Sequence, residues 1–425
     1  MSPVSGIPTY RDVYGDVARM LGEQGGLGAL VIDLHPLARV ERRFGGSAYQ
    51  AVREQIDTVV LELKDRFREG DLLTLDQREG DRFILFLGKK RQGGPFAALD
   101  LRKLADRVEE FIVPRVARLT LPYLREKPTI GVGYGFVLHS PLEGEERQIS
   151  RLIEDALDSA ELRRRLRERD EREAVLEIIH NRAIWTAFQP IMDIETRTPA
   201  GHEGLSRGPR GTDLESPAAL FSAAARHGVV EELERACRRQ GFVDWLAYGG
   251  SGRLFLNTIP STVRDTSFLG RGVLDYLGPH LSPSMVTLEI TEHQVIENMN
   301  LYREAMHPFL ALGFTFAIDD LGAGYSGLET LATLGASFLK IDMGLVRDVH
   351  HKKVSQQVVK AIVEMGAGVG ATVIAEGIES ADELQALLGL GVRFGQGYHL
   401  GRPVDPYAAP APAALAAAAA KRRKP

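Results

Sequence analysis

From Phe188 onward the chain repeats one unit: a short apolar run ending near an acid or an amide, then a stretch of helical composition. The runs read RLFLNT, SMVTLEIT, FTFAIDD, SFLKID and ATVIAEGI, with a last short one near RFGQGYHL. Parallel strands need crossovers of a dozen or more residues, and the helical stretches supply them. More than five such units in about 220 residues favour a closed (β/α)8-type, TIM-like barrel over an open sheet.

In such a barrel the side chains at the C-terminal strand ends converge on one mouth. Glu289, Asp319, Asp320, Asp342 and Glu376 each stand at or just after the end of an apolar run, and so does Asn257. A single acid at a strand end is more often a helix cap or a solvated turn. Recurrence on successive strands is not explained by capping, and crowded carboxylates raise one another's pKa unless a divalent ion neutralises them. Cys237 is the only cysteine, and on the helix-like EELERACRRQ it reads as an inert packed residue. Oxygen ligands without thiolate select hard ions such as Mg2+ or Mn2+. The adjacent pair Asp319-Asp320 suits two ions, one carboxylate bridging them, an arrangement matched to phosphodiester hydrolysis. Lys340, at the end of SFLKID, reads as a surface lysine when alone; beside Asp342 and opposite acids it would orient the attacking water.

The composition is ordinary for a soluble globular chain, and 425 residues predict two domains. A balance of 52 basic against 57 acidic residues, net −5, argues against a surface for polymeric nucleic acid. No run of 18 apolar residues would span a membrane, and the N-terminus lacks a signal-peptide pattern, so a cytoplasmic location is expected.

These residues resemble the EAL domain phosphodiesterases of cyclic di-GMP signalling. The likeness covers about residues 170 to 405. FQPI at Phe188–Ile191 is similar to the family's entry strand, and EGL at Glu203–Leu205 stands where Glu-Ala-Leu belongs, followed by Arg207. LNT at Asn257, LEITE at Leu288–Glu292, AIDDLGAGYS at Ala317–Ser326, LKID at Leu339–Asp342, AEGIE at Ala375–Glu379 and GQGYHLGRP at Gly395–Pro403 follow in the family's order. The resemblance implies that Glu203, Asn257, Glu289 and Asp319 ligate one metal ion and that Asp319, Asp320 and Glu376 serve a second. It makes Lys340 and Glu376 catalytic, and places Gln189, Leu205, Arg207, Asp342 and Gln396 at the substrate, cyclic di-GMP, with linear pGpG as product. Glu292 would anchor the loop after Asp320, LGAGYSG, which would couple the metal site to a dimer interface; a homodimer is the expectation. Gly204, Ser206 and Ala323 depart from the family's usual residues without removing a ligand. Full retention of the ligands and the lysine favours an enzyme over a silent cyclic di-GMP receptor; a hydrolase for another phosphodiester is the third reading. Glu203→Ala or Lys340→Ala should abolish turnover with the fold intact, since neither is expected to fill the core.

Residues 26 to about 140 read as a smaller α/β domain, with strands expected near 28–34, 71–76, 82–88 and 129–138. This stretch resembles a GGDEF diguanylate cyclase domain that has lost its signature: the hairpin reads EGDRF at Glu79–Phe83. Arg82 would repel a metal ion there, so cyclase activity is not expected. Asp33 and Asp81 leave a residual metal or nucleotide site as the alternative; Glu41 and Gln50 stand where guanine would be read, and no Arg-x-x-Asp inhibitory motif is legible before Glu79. The expected order is a degenerate GGDEF-like regulatory domain over 1–144, a helical linker over 145–183, the phosphodiesterase over 184–407 and an Ala/Pro-rich basic tail over 408–425.

Overall fold

The computed structural model describes residues 6–34, 37–64, 66–68, 70–76, 81–88, 98–124, 129–259, 271–277, 281–292, 299–322 and 335–407. Glu79 and Gly80 of the hairpin, most of the glycine-rich loop after Asp320, and the tail lie outside these residues. No described helix is long and apolar enough to cross a membrane. The chain divides into two compact units, Met1–Glu173 and Ala174–Pro425.

The first unit contains helices α1 (Tyr14–Gln24), α2 (Leu37–Lys64), α3 (Ala98–Leu124) and the start of α4 (Glu145–Asn181). Its strands are β1 (Gly26–Asp33), β2 (Leu72–Leu75), β3 (Arg82–Leu87) and β4 (Gly131–Leu138), close to the expected spans. They form one antiparallel sheet in the order β2-β3-β1-β4. Side chains alternate along a strand, so β1 feeds two cores. Leu30 and Ile32 pack with Val52 and Ile56 of α2 and Leu101 and Ile112 of α3. Leu27, Ala29 and Val31 pack with Leu21 of α1 and Leu152 and Ala156 of α4. Helix α4 approaches β4 backbone to backbone: a Cβ on Gly133 would stand 2.1 Å from the Ala156 carbonyl oxygen, which only glycine avoids.

A cavity of about 640 Å3 opens between the end of α2 and the start of α3. Arg66, Arg68, Lys103 and Arg107 line it with Asp71 and Asp100, over the ring of Phe111. Arg68 and Asp71 do carry Arg-x-x-Asp spacing ahead of Glu79, which corrects the expectation that no such motif is legible there.

The second unit is a closed barrel of eight strands: β5 (Trp185–Asp193), β6 (Thr198–Arg207), β7 (Arg253–Asn257), β8 (Val286–Thr291), β9 (Thr315–Leu321), β10 (Phe338–Ile341), β11 (Thr372–Ala375) and β12 (Phe394–Gly395). One feature departs from the parallel expectation. β5 runs antiparallel to both β6 and β12, while the other neighbours are parallel. Only Ile194–Arg197 joins β5 to β6, too short for a crossover and long enough for a hairpin. Asp193 closes that turn, accepting the backbone N–H groups of Glu195 and Thr196 at 3.1 and 3.0 Å.

Ile191, Phe255, Ala317 and Ile374 form an apolar cluster, with Phe338 and Phe394 against it. Two residues farther along their strands stand Asn257, Asp319, Lys340 and Glu376, on the same faces. The two-residue period therefore sets a polar layer directly above an apolar plug, at the C-terminal mouth.

Candidate active site

Lys340 is the hub of that polar layer. It is 1% exposed, and its Nζ lies 2.6 Å from Glu376 Oε1, 2.9 Å from Glu289 Oε1, 3.2 Å from Asp319 Oδ1 and 3.5 Å from Glu203 Oε2. Gln396 Nε2 donates to Glu203 Oε2 at 2.5 Å and to Glu376 Oε1 at 3.3 Å, and Asn257 Nδ2 donates to Glu203 Oε1 at 3.1 Å. Glu203, Glu289 and Lys340 are all buried, which corrects the expectation that Glu203 and Lys340 stand clear of the core.

Asp319 and Asp320 reach the mouth together because β9 bulges there. Leu339 pairs with Ile318 and Ile341 with Leu321, so two aspartates stand opposite the single Lys340. Asp320 has φ +60, a left-handed conformation that aspartate tolerates better than most residues, and its N–H donates to Asp319 Oδ1 at 3.0 Å. Carboxylate oxygens of Asp319, Asp320 and Glu376 lie within 4.8 Å of one another.

The electrostatics follow from burial and crowding. Burial lifts Glu376 to about 8 and Glu289 well above the usual carboxylate range, against the pull of Lys340. Burial and the Asp319 charge raise Asp320. Glu203 goes the other way: burial opposes ionisation, but the Lys340 charge and the bonds from Gln396 and Asn257 outweigh it. Burial likewise disfavours the charged form of Lys340, yet the surrounding carboxylates hold it firmly protonated.

The donor set fits hard divalent cations. Four carboxylates surround one ammonium with Asp320 beside them, and both oxygens of Glu289 are buried without a hydrogen bond among the described residues, Oε1 having the Lys340 charge 2.9 Å away. Such orphaned oxygens are the group a cation would satisfy. Glu203, Asn257, Glu289, Asp319, Asp320 and Glu376 are the residues that would hold it.

The remaining predicted positions are distributed around this cluster. Gln189 is buried, paired in register with Glu203, and donates to the Gly401 carbonyl at 3.0 Å. Arg207 donates to the backbone carbonyl of Ser206 at 3.0 Å. Asp342 caps the short helix Met343–Val346 by accepting Gly344 N–H at 2.8 Å, the capping role set against function above. Glu292 is buried, and its Oε2 has no hydrogen-bond partner among the described residues; the loop it would anchor lies outside them.

Leu205 lines a separate cavity of about 320 Å3, with Ser206, Asn257, Thr258, Cys237 and the pair Glu234–Arg238. Sequence reading passed over that pair, because charges in VEELERACRR look like a solvated helix face. In the fold the Glu234 and Arg238 side chains, on α5 (Val230–Tyr248), are both buried. Arg238 Nη1 donates to both Glu234 oxygens at 2.8 Å, and Thr258 Oγ1 donates to Glu234 Oε1 at 3.2 Å.

The fold and site together define an α/β barrel with a carboxylate-lined mouth suited to divalent ions. The profile of the family described as EAL domain matches residues 171–403, and the chain belongs to that family. It is 28% identical over 411 residues to the cyclic di-GMP phosphodiesterase PA2567 of Pseudomonas aeruginosa, covering 92% of this chain and 68% of that protein. It is 36% identical over 154 residues to the probable cyclic di-GMP phosphodiesterase PdeA of Escherichia coli, covering 36% of this chain but 21% of that protein. Among solved structures it is similar to the EAL enzyme Bd1971 in its cGMP-bound form, at 25% identity and a TM-score of 0.51, over 62% of this chain and 74% of that one.

Proposed function

We propose that this chain is a metal-dependent phosphodiesterase that hydrolyses cyclic di-GMP to linear pGpG, working as a homodimer under a cyclase-silent GGDEF-like domain. The observation that carries the reading is the gathering of Glu203, Glu289, Asp319 and Glu376 within 3.5 Å of one lysine at a barrel mouth. Glu203, Asn257, Glu289 and Asp319 would hold one Mg2+ or Mn2+ ion, and Asp319, Asp320 and Glu376 a second. When bound, the ions supply Lewis acidity and lower the pKa of water.

The protein's own groups do the rest. Lys340, held by four carboxylates, directs an N–H at the attacking water, and Glu376 accepts the proton that the water loses. Arg207 pairs with a non-bridging phosphate oxygen. Gln189, Leu205, Asp342 and Gln396 border the substrate, and Glu292 steadies the loop beyond Asp320. Incubating the full-length protein with cyclic di-GMP and Mg2+ or Mn2+, then separating products by chromatography, should yield pGpG. Binding without turnover would make the chain a receptor, and cleavage of linear dinucleotides alone would make it a different hydrolase.

The first unit supports the regulatory reading. Arg82, in register with Asp33, places Nε 3.6 Å from that carboxylate, while Asp81 meets Arg53 at 3.2 Å and the Tyr49 hydroxyl. Arginines thus stand against both acids of the lost metal site. Gln50 bonds Glu54 on its own helix at 3.3 Å, and Glu41 is exposed. The cavity lined by Arg66, Arg68, Lys103 and Arg107 is where a nucleotide would bind instead. The regulatory domain is taken as 1–144, the helical linker as 145–183, the phosphodiesterase as 184–407 and the tail as 408–425. Calorimetry should count more than one cyclic di-GMP per chain, and Arg68→Ala with Arg107→Ala should weaken the additional site by about 10- to 100-fold. An unaltered stoichiometry and affinity in that variant would remove the cavity from the scheme.

A further inference from the structure

Past β12 the chain runs back along β5 as a strap. Gly395 pairs with Met192, the Gly401 carbonyl accepts the Gln189 amide at 3.0 Å, and Val404 exchanges two backbone bonds with Phe188, each 2.9 Å. The strap is tightly seated: a Cβ on Gly401 would stand 2.4 Å from Pro190 Cγ. One end of it works at the mouth, where Gln396 donates to Glu203 and Glu376, and Gln396 is buried. The other end is tied down by side chains. Asp405 pairs with Arg210, and the Tyr407 hydroxyl donates to Asp244 Oδ1 on α5. Asp244 is fully buried, and its other donors are the Thr186 N–H and the Gln240 amide, both at 2.7 Å. A buried carboxylate held by neutral donors depends on each of them, and a bond to a charged group is roughly twice as strong as a neutral one. Among the strap's fastenings to β5 and α5, the one from Tyr407 is the bond to a buried charge.

Resting on the metal centre of the phosphodiesterase reading, we infer that the bond between Tyr407 and Asp244 latches this strap, and that Tyr407 is a positioning residue for the divalent ions, acting through Gln396. The Gln396 amide orients two carboxylates that would ligate the ions, and groups that orient ligands in this way govern metal affinity. Releasing the far end lets the strap lift from β5, and the amide leaves both carboxylates together.

The test is a double-mutant cycle read as Mn2+ affinity, by calorimetry on the full-length protein without nucleotide, alongside turnover of cyclic di-GMP. Gln396→Ala should weaken Mn2+ binding about 10- to 100-fold. Tyr407→Phe, which removes only the hydroxyl, should weaken it about 10-fold, the scale of one hydrogen bond to a charged group. The double variant should bind no more weakly than Gln396→Ala alone, because the second change acts through a residue already gone. Should Tyr407→Phe disturb folding, Gly401→Ala lifts the strap off Pro190 at another point and should show the same dependence on Gln396. Unmoved Mn2+ affinity in a folded Tyr407→Phe, or losses that simply add in the double variant, overturn the inference while leaving the hydrolase reading standing. The expected Mn2+ pattern without hydrolysis of cyclic di-GMP supports the latch and overturns the hydrolase. Absence of Mn2+ binding by the wild type overturns both.

Discussion

Replacing Asp319 with asparagine is expected to lower cyclic di-GMP turnover by about 10^3-fold or more, equivalent to roughly 4 kcal/mol of transition-state stabilisation. Asp319 is the acid shared by both proposed ion sites. Its carboxylate lies 3.2 Å from Lys340 Nζ, accepts the Asp320 N–H, and belongs to the group that converges with Asp320 and Glu376. Asparagine keeps the volume and one oxygen but loses the charge and the capacity to bridge. Retained circular dichroism and thermal stability would separate loss of chemistry from loss of fold. A single-turnover rate within ten-fold of wild type would show that the cluster is not the reacting centre.

Lys340→Met is expected to remove turnover as well, but its second effect is on the fold. Lys340 is fully buried and is the ammonium against four carboxylates, so the variant leaves them without a counter-charge. Breaking a buried pair in this way costs about 3 to 5 kcal/mol. The pH dependence has a definite sign. Glu289, Asp319 and Glu376 already titrate above the ordinary carboxylate range because they are buried, and losing the lysine lifts them further. A carboxylate with a raised folded pKa binds more protons folded than unfolded, so the deficit grows as pH rises from about 4 and shrinks on acidification. Saturating Mg2+ or Mn2+ should return about 2.7 kcal/mol at a hundred times the dissociation constant. Thermal melts with and without metal, from pH 5 to 8, check both statements; a metal-free variant as stable as wild type at pH 8 would contradict the charge arrangement.

The barrel and its polar mouth were legible because they depend on local periodicity. Once Phe255, Ala317, Phe338 and Ile374 are recognised as inward-facing, Asn257, Asp319, Lys340 and Glu376 follow two residues later on the same faces. Other features depend on pairing between distant segments. The bulge at Asp319-Asp320 exists only in the ladder between β9 and β10. The reversed β5 could have been inferred from the four-residue gap before β6, had connection length been weighed beside hydropathy. Glu234 and Arg238 gave no signal, since what makes them unusual is the surface that covers them. Arg68 and Asp71 were missed for a different reason: their spacing is plain in the sequence, but their relevance comes from Lys103 and Arg107 on another helix.

The bulge in β9 has a bearing on how the proposed centre assembles. A chain that zipped β9 to β10 one step out of phase would still give an ordinary helix-and-strand spectrum, yet Asp319 and Asp320 would lose their place opposite Lys340. Assembly of the charge cluster thus depends on the alignment of a single hydrogen-bonded ladder, and recovery of the proposed turnover during refolding would report that alignment more faithfully than any measure of compactness.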